Sequence, residues 1–254
     1  MTSAPAAAGR AQAMLLAAGR GERMRPLTDL TPKPLLEVRG RPLLQWHLDA
    51  LARAGWRRAL VNTAWLGEQI PDRFGASWPA ADAAALALSY SMEAQDFGGA
   101  LETAGGIVRA LPALDVVFWV VAGDVFVPGF DFPPAALQRF AAGTMLAHLW
   151  LVPNPAHNPK GDFGLSDDGL ALNLPADHPG PRHTYSTIGL YRREFFEAPH
   201  CDIPAGNPQG IAAPLAPLLR AAMDAGRVSA EIWPGDWTDV GTPGRLAALN
   251  QEIP

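Results

Sequence analysis

Short apolar runs alternate along the chain with stretches of helical spacing. Residues 13–18 are apolar throughout and stop at Gly19, the pattern of a strand buried on both faces. Over residues 42–54, Leu43, Leu44, Trp46, Leu48 and Leu51 fall on an approximate helical stripe, with Pro42 at the start and Gly55 past the end. That spacing predicts a helix, since proline suits a first turn and glycine a C-terminal stop. The same reading gives strands over 58–62, 85–91 and 116–122, and helices over 64–74 and 102–111, the first of them open to shortening by Pro71. Beyond residue 143 the rhythm changes. Strands are expected over 144–152, 187–192, 228–233 and 237–240, and helices over 215–225 and 243–250.

Alternating strands and helices predict an α/β layer fold, with a mostly parallel sheet flanked by helices. Ligands of such sheets bind beyond the carboxyl ends of the strands. The turn at Gly19 and the turn at Gly123 and Asp124 both lie at such ends. Residues 1–12 are rich in Ala, Pro and Gly and lack an apolar stretch of signal-peptide type. They read as a flexible tail, with one domain over 13–254.

The first strand runs into a loop that holds Gly19 and Gly21 together with Arg20, Arg23 and Arg25, and Lys33 follows between Pro32 and Pro34. Glycines bring bare backbone N–H groups up to a phosphate, and arginines add forked donors for its oxygens. Two commoner phosphate loops are excluded: the Walker pattern is absent, and Met24 stands where the dinucleotide fingerprint needs a third glycine. The competing reading is a tight turn with solvated arginines. Like charges crowded into one turn favour an anion among them. The flanking prolines present Lys33 from a stiff segment.

Asp124 and Asp239 each follow apolar strand residues and precede a turn. Either could be a cap; both at strand ends of a triphosphate-binding fold suggest a shared divalent ion, because Mg²⁺ takes one or two carboxylates plus phosphate oxygens and water. Residues 101–107, including Thr103, Gly105 and Gly106, open a helix with small residues, which suits close approach of a base or phosphate as well as a plain helix start. His148, His157, His178, His183 and His200 show no metal-ligand spacing and His47 falls on a helix, so all six read as structural or solvated.

Bulk composition narrows the partners. A net charge of -5 argues against nucleic acid as a partner, since nucleic-acid binders present a basic face. One cysteine, Cys201, forms neither a disulfide framework nor a cysteine-based zinc site. No apolar run reaches the roughly 20 residues of a membrane span, so no membrane partner is expected and the cytoplasm is the simplest compartment.

Together these residues resemble the sugar-1-phosphate nucleotidylyltransferases, over about residues 13–250. The stretches that carry the resemblance are 19–36, 62–67, 101–107, 161–163 and 237–242. It implies a Rossmann-like nucleotidyltransferase fold with a mixed sheet, a nucleotide-binding part over about 13–142 and a sugar-binding part over about 143–254. It implies Mg²⁺ as cofactor, and UTP with a sugar 1-phosphate as substrates. The stretch 237–242 favours a muramic sugar over mannose or glucose. By the same resemblance Arg23 and Lys33 are catalytic. Ala18, Gly19, Gly21, Glu22, Arg23, Lys33, Gly105 and Gly123 bind the nucleotide, Asp162 and Gly189 the sugar, and Asp124 and Asp239 the metal. Ala122 departs from the pattern, standing where similar proteins often carry asparagine. Arg182, Arg192 and Lys160 are candidates for an acidic group on the sugar, each also readable as a solvated charge. Two other readings remain: a guanylyltransferase acting on mannose 1-phosphate, and a non-catalytic regulator that senses a nucleotide sugar. The joint presence of Arg23, Lys33, Asp124 and Asp239 argues against the second.

Overall fold

An eight-stranded sheet runs through the molecule in the computed structural model, which describes residues 9–80, 84–175 and 177–251. Its strands are β1 (Ala11–Ala17), β2 (Arg58–Thr63), β3 (Ser77–Trp78), β4 (Leu86–Met92), β5 (Leu114–Ala122), β6 (Ala147–Val152), β7 (Thr184–Arg192) and β8 (Val228–Ile232). Their order across the sheet is β8-β6-β7-β5-β1-β2-β4-β3. Strands β5, β1, β2 and β4 are parallel, as are β6 and β8, while β7 and the edge strand β3 run antiparallel to their neighbours. The sheet is therefore mostly parallel, as the alternation of elements predicts, and mixed, as the resemblance to the nucleotidylyltransferases implies. Of the tail expected over 1–12, residues 1–8 lie outside the described residues, and Ala11 and Gln12 already belong to β1.

The period of two in a strand explains how both faces are covered. Met14, Phe118 and Val120 enter one core with Ile107 and Val108 of the helix Glu102–Ala110 and Leu219 and Met223 of the helix Leu215–Asp224. Their neighbours Leu15, Trp119 and Val121 enter the other, against Leu44, Leu48 and Leu51 of the helix Leu43–Arg53 and Phe140 of the helix Pro134–Ala142. A strand buried on both faces must be apolar at nearly every position, which is why these runs stand out in the sequence.

Several elements differ from expectation: the short helix Glu93–Phe97 and the edge strand Ser77–Trp78 have no counterpart in it, the strand expected over 237–240 spans only Thr238–Asp239, and two helices differ more. The helix expected over 64–74 is reduced to Gln69–Phe74. Leu66 takes a φ of 48°, and a Cβ on Gly67 would lie 2.7 Å from Thr63 Oγ1, so the chain turns sharply before the helix begins. The helix Pro134–Ala142 was not anticipated, although Pro133, the pair Ala136 and Phe140, and Gly143 carry its start, its buried face and its stop. A third small core of Met24, Leu36, Val38, Leu43, Phe126, Val240 and Leu249 ties the glycine loop to the C-terminal helix Pro243–Gln251.

Candidate active site

The parallel strands β1, β2, β4 and β5 end on one edge of the sheet, and β7 begins there. The glycine loop leaves β1 at this edge. Gly21 has a φ of 66°, and a Cβ there would lie 3.1 Å from Thr28 Cγ2 and 3.2 Å from Lys33 Cβ. Glycine thus satisfies both the left-handed turn and the close approach.

The loop arginines do not act alike. Arg20 donates to the Thr28 carbonyl at 2.8 Å, pairs with Asp29 at 2.9 Å and lies 3.6 Å over the Trp65 ring. Arg25 reaches the same Asp29 oxygen at 2.8 Å. The Arg20 hydrogen bond is the largest cause that holds the Asp29 carboxyl below its ordinary pKa, with the charge of Arg25 adding to it. The crowding that seemed to demand a bound anion is therefore relieved internally for two of the three arginines. Arg23 is different: it makes no hydrogen bond or ion pair among the described residues. With Gly19, Gly21, Glu22, Lys33 and Asp124 it lines a cavity of about 350 Å³.

Lys33 opens a single 3-10 turn after extended Pro32. It is buried, and its Nζ donates to Asp124 Oδ2 at 2.5 Å. Asp124 reaches this point because Gly123 ends β5 with its N–H on the Leu16 carbonyl at 2.8 Å. The following residues Val125–Phe126 pair antiparallel with Thr238–Asp239, setting Asp239 opposite Val125. The Val240 N–H donates to the Asp124 carbonyl at 3.0 Å. The two aspartates, 115 positions apart by their numbers, thus sit on one short ladder.

Their side chains differ in use. Asp239 Oδ1 is held by Arg245 and lies 2.7 Å from His157 Nε2. His157, read from sequence as structural or solvated, thus reaches one of the expected metal ligands. Asp124 Oδ1 and Asp239 Oδ2 make no hydrogen bond among the described residues. Asp124 lines the phosphate-sized cavity and Asp239 lines none of the three cavities along this edge, although Gly241 two residues on does; carboxylate oxygens of this kind fit the donors that Mg²⁺ takes. Among the described residues no group of three or more His, Cys, Asp or Glu could hold a metal by itself, so further ligands would come from phosphate and water.

The cleft continues along the sheet edge. A middle cavity of about 320 Å³ is lined by Ala18, Gly19, Asn62, Glu102, Thr103 and Asp124 among others. A larger one of about 540 Å³ is lined by Glu102, Asp162, Phe163, Tyr185, Thr187 and Arg220 among others. Leu16 borders all three.

Sequence reasoning missed the buried pair that shapes the middle cavity. Asn62 Nδ2 donates to Glu93 Oε1 at 2.7 Å, and Asn62 Oδ1 accepts the Ala17 N–H at 2.9 Å. Glu93 Oε2 accepts the Leu101 N–H at 2.8 Å. Burial is the largest influence on the Glu93 carboxyl and pushes its pKa up, against these hydrogen bonds. A polar residue near the end of apolar β2 and another just after β4 were the available signal.

Three glycines expected at ligands, Gly105, Gly123 and Gly189, line none of these cavities, and each is closely packed. A Cβ on Gly105 would meet the Ile211 carbonyl at 2.4 Å, so Glu102 and Thr103 border the cleft at that helix start in its place. One on Gly123 would lie 3.0 Å from the Leu16 carbonyl, and one on Gly189 would lie 2.9 Å from Tyr191 Cε2. Asp162 borders the large cavity, and each of its oxygens accepts one hydrogen bond, from Asn158 Nδ2 at 3.2 Å and the Tyr185 N–H at 2.8 Å. Tyr185 and Tyr191 share a 2.8 Å hydrogen bond between their hydroxyls. Burial is the main cause that raises the pKa of both phenols.

Of the cations considered for an acidic sugar, Arg182 donates to the carbonyls of Leu174 and Pro175, and Arg192 to those of Phe140, Ala141, Gly143 and Met145. Neither they nor Lys160 line the large cavity. Among the described residues its one cation is Arg220, held by Asn173 Oδ1 at 2.6 Å and lying 5.2 Å over the Phe163 ring.

A glycine loop, a lysine and paired aspartates at the carboxyl edge of such a sheet define a nucleotidyl transferase. The nucleotidyl transferase family model matches residues 12–254, and the chain belongs to that family. It is 47% identical over 238 residues to the N-acetylmuramate alpha-1-phosphate uridylyltransferase of Neisseria meningitidis, covering 92% of this chain and 95% of that protein. A protein of the same name from Caulobacter vibrioides is 32% identical over 93% of this chain and 94% of its own. The fold is shared with a protein described as a glucose-1-phosphate thymidylyltransferase from Bacillus anthracis, with a TM-score of 0.74 at 18% identity over 96% of both chains. Among the described residues, no helix is long and apolar enough to cross a membrane.

Proposed function

We propose that this chain transfers a uridylyl group from UTP to N-acetyl-α-muramic acid 1-phosphate, releasing pyrophosphate and forming UDP-N-acetylmuramic acid. The observation that carries this reading is the cleft itself. One end holds Arg23, Lys33 and Asp124. The other is a mostly apolar cavity with Arg220 as its one cation among the described residues, which suits a sugar with a carboxylate substituent. The similarity to two enzymes of that name supports the same substrates. In this reading the product serves the recycling of peptidoglycan, and the use of UTP favours the cytoplasm as its compartment.

A phosphate oxygen of the sugar attacks the α-phosphorus of UTP in line. The bond from that phosphorus to the bridging oxygen breaks, and its electron pair leaves with pyrophosphate. The nucleophile is already an anion, so no general base is required. What the chain must supply is alignment of two anions and charge to offset them. Backbone N–H groups of the loop at Ala18, Gly19, Gly21 and Glu22 and the unpaired Arg23 take the β- and γ-phosphates. Lys33, held beside Asp124, sits between the attacking and attacked phosphates. Asp124 and Asp239 would hold Mg²⁺, which when bound draws charge from the phosphate oxygens.

Melting curves test the nucleotide half. With Mg²⁺ present, UTP should raise the melting temperature more than ATP, GTP or CTP at equal concentration; a ligand at a hundred times its Kd adds about 2.7 kcal/mol. A larger rise with GTP would point to a guanylyltransferase. Turnover should also vanish in chelator, and full activity there would remove the metal from the account.

A further inference from the structure

Glu102 is the first residue of the helix Glu102–Ala110, yet its φ is +57°. Left-handed backbone suits glycine and is disfavoured for a long L side chain. The neighbours impose it. The Leu101 N–H is fixed by Glu93 at 2.8 Å. The Leu101 carbonyl accepts the Ala213 N–H at 3.0 Å, and the N–H groups of Ala104 and Gly105 donate to the Ala213 carbonyl at 2.9 and 3.1 Å. Any residue at this position must adopt that turn, and glycine would adopt it most readily.

The side chain stands where two cavities meet, because it borders both the 320 Å³ and the 540 Å³ spaces. Its carboxylate makes no hydrogen bond or ion pair among the described residues. Of the two carboxylates that line the larger cavity, Asp162 is held by Asn158 and the Tyr185 N–H, and Glu102 is the one with no protein partner among those residues. A second residue of that cavity is strained as well: Thr187 has a φ of 64° where the β7 pairing shifts register. Backbone strain that the surroundings enforce gathers at ligand-binding positions. The middle cavity already has a carboxylate in Asp124, so a free acceptor is most needed on the sugar side.

We infer that Glu102 is a specificity-determining residue whose carboxylate accepts a hydrogen bond from a hydroxyl or amide donor on the sugar ring, at a site where glycine would fit the backbone better. This rests on the proposed reaction with a sugar 1-phosphate. The alternative for Glu102 is a favourable charge at a helix N-terminus, with no part in binding.

The two roles separate in Glu102→Gly and Glu102→Gln, assayed for pyrophosphate release with UTP and the wild type's best sugar 1-phosphate. Wild-type turnover tests the reaction itself and is read first; no turnover with any sugar 1-phosphate would fail that reading. Glu102→Gly should keep or raise the melting temperature, by up to roughly 4 °C. It should raise KM for the sugar phosphate ~10–100-fold, the scale of a hydrogen bond to a charged group, and leave KM for UTP within about twofold. Glu102→Gln keeps one acceptor oxygen and should recover part of the loss. An unchanged KM for the sugar, or a rise confined to UTP, would overturn the inference. So would a lowered melting temperature with unchanged kinetics, the mark of a purely structural charge.

Discussion

Lys33 is a buried ammonium with one carboxylate at 2.5 Å. The Asp124 side chain is 38% exposed, so water can solvate it when the lysine is removed. Lys33→Ala should therefore fold, as judged by circular dichroism, and lose at least about a hundredfold in kcat, or roughly 3 kcal/mol by analogy with a lost oxyanion donor. Near-normal pyrophosphate release would remove Lys33 from the chemistry. Residues of this kind are readable in sequence because their role depends on local spacing: Gly21 needs its turn and Lys33 its flanking prolines. Arg20 and Arg25 were open to misreading because their partner, Asp29, looks like any loop acid until the loop folds back. Glu93, Asn62 and Arg220 act through neighbours distant in sequence, so a polar residue at a strand end can signal Asn62 or Glu93 without naming its partner.

Elements show the same division. Strands β1 and β5 are apolar on both faces and bounded by glycine, so their places were legible within a few residues. The strand expected over 237–240 is present as Thr238–Asp239, but its pairing with Val125–Phe126 joins segments far apart in the chain, which no local periodicity reveals. Gly105 illustrates why a motif does not fix a role. Its helix was foreseen, but which face of it meets the segment at Ile211–Ala213 depends on the whole fold. Gly105→Ala sets two effects against each other. Alanine improves helix propensity by about 1 kcal/mol, while its Cβ would lie 2.4 Å from the Ile211 carbonyl and 3.1 Å from the Ala213 nitrogen. Backbone atoms cannot yield as a flexible side chain can, and overpacking costs about 1–3 kcal/mol. Net destabilisation in urea is expected, and equal or greater stability would show that the segment at 211–213 moves freely.

Across the molecule, the cleft follows one edge of the large sheet, and the packing beneath it couples stability to pH. His47 is buried in the helix under the site, with its Nε2 3.0 Å from the Val125 carbonyl. Burial is the main cause that pushes its pKa from 6.5 down to about 4. The fold thus holds the ring neutral, while the unfolded chain binds a proton below 6.5. The resulting stability is fully present above pH 6.5 and is lost as pH falls toward 4, about 3 kcal/mol across the window. Urea midpoints of the wild type should decline over that range. His47→Gln, which can still donate to Val125, should show a flatter profile, and parallel profiles would assign the acid sensitivity to other groups.

The central claim concerns which two substrates meet in the cleft. The direct measurement is pyrophosphate release with Mg²⁺, crossing UTP, ATP, GTP and CTP with the 1-phosphates of N-acetylmuramic acid, N-acetylglucosamine, glucose and mannose. UTP with N-acetyl-α-muramic acid 1-phosphate should give the highest kcat/KM, and the N-acetylglucosamine compound, which lacks the carboxylate proposed to pair with Arg220, should fall well below it. A maximum at GTP with mannose 1-phosphate, or release with none of the sixteen pairs, would contradict the account.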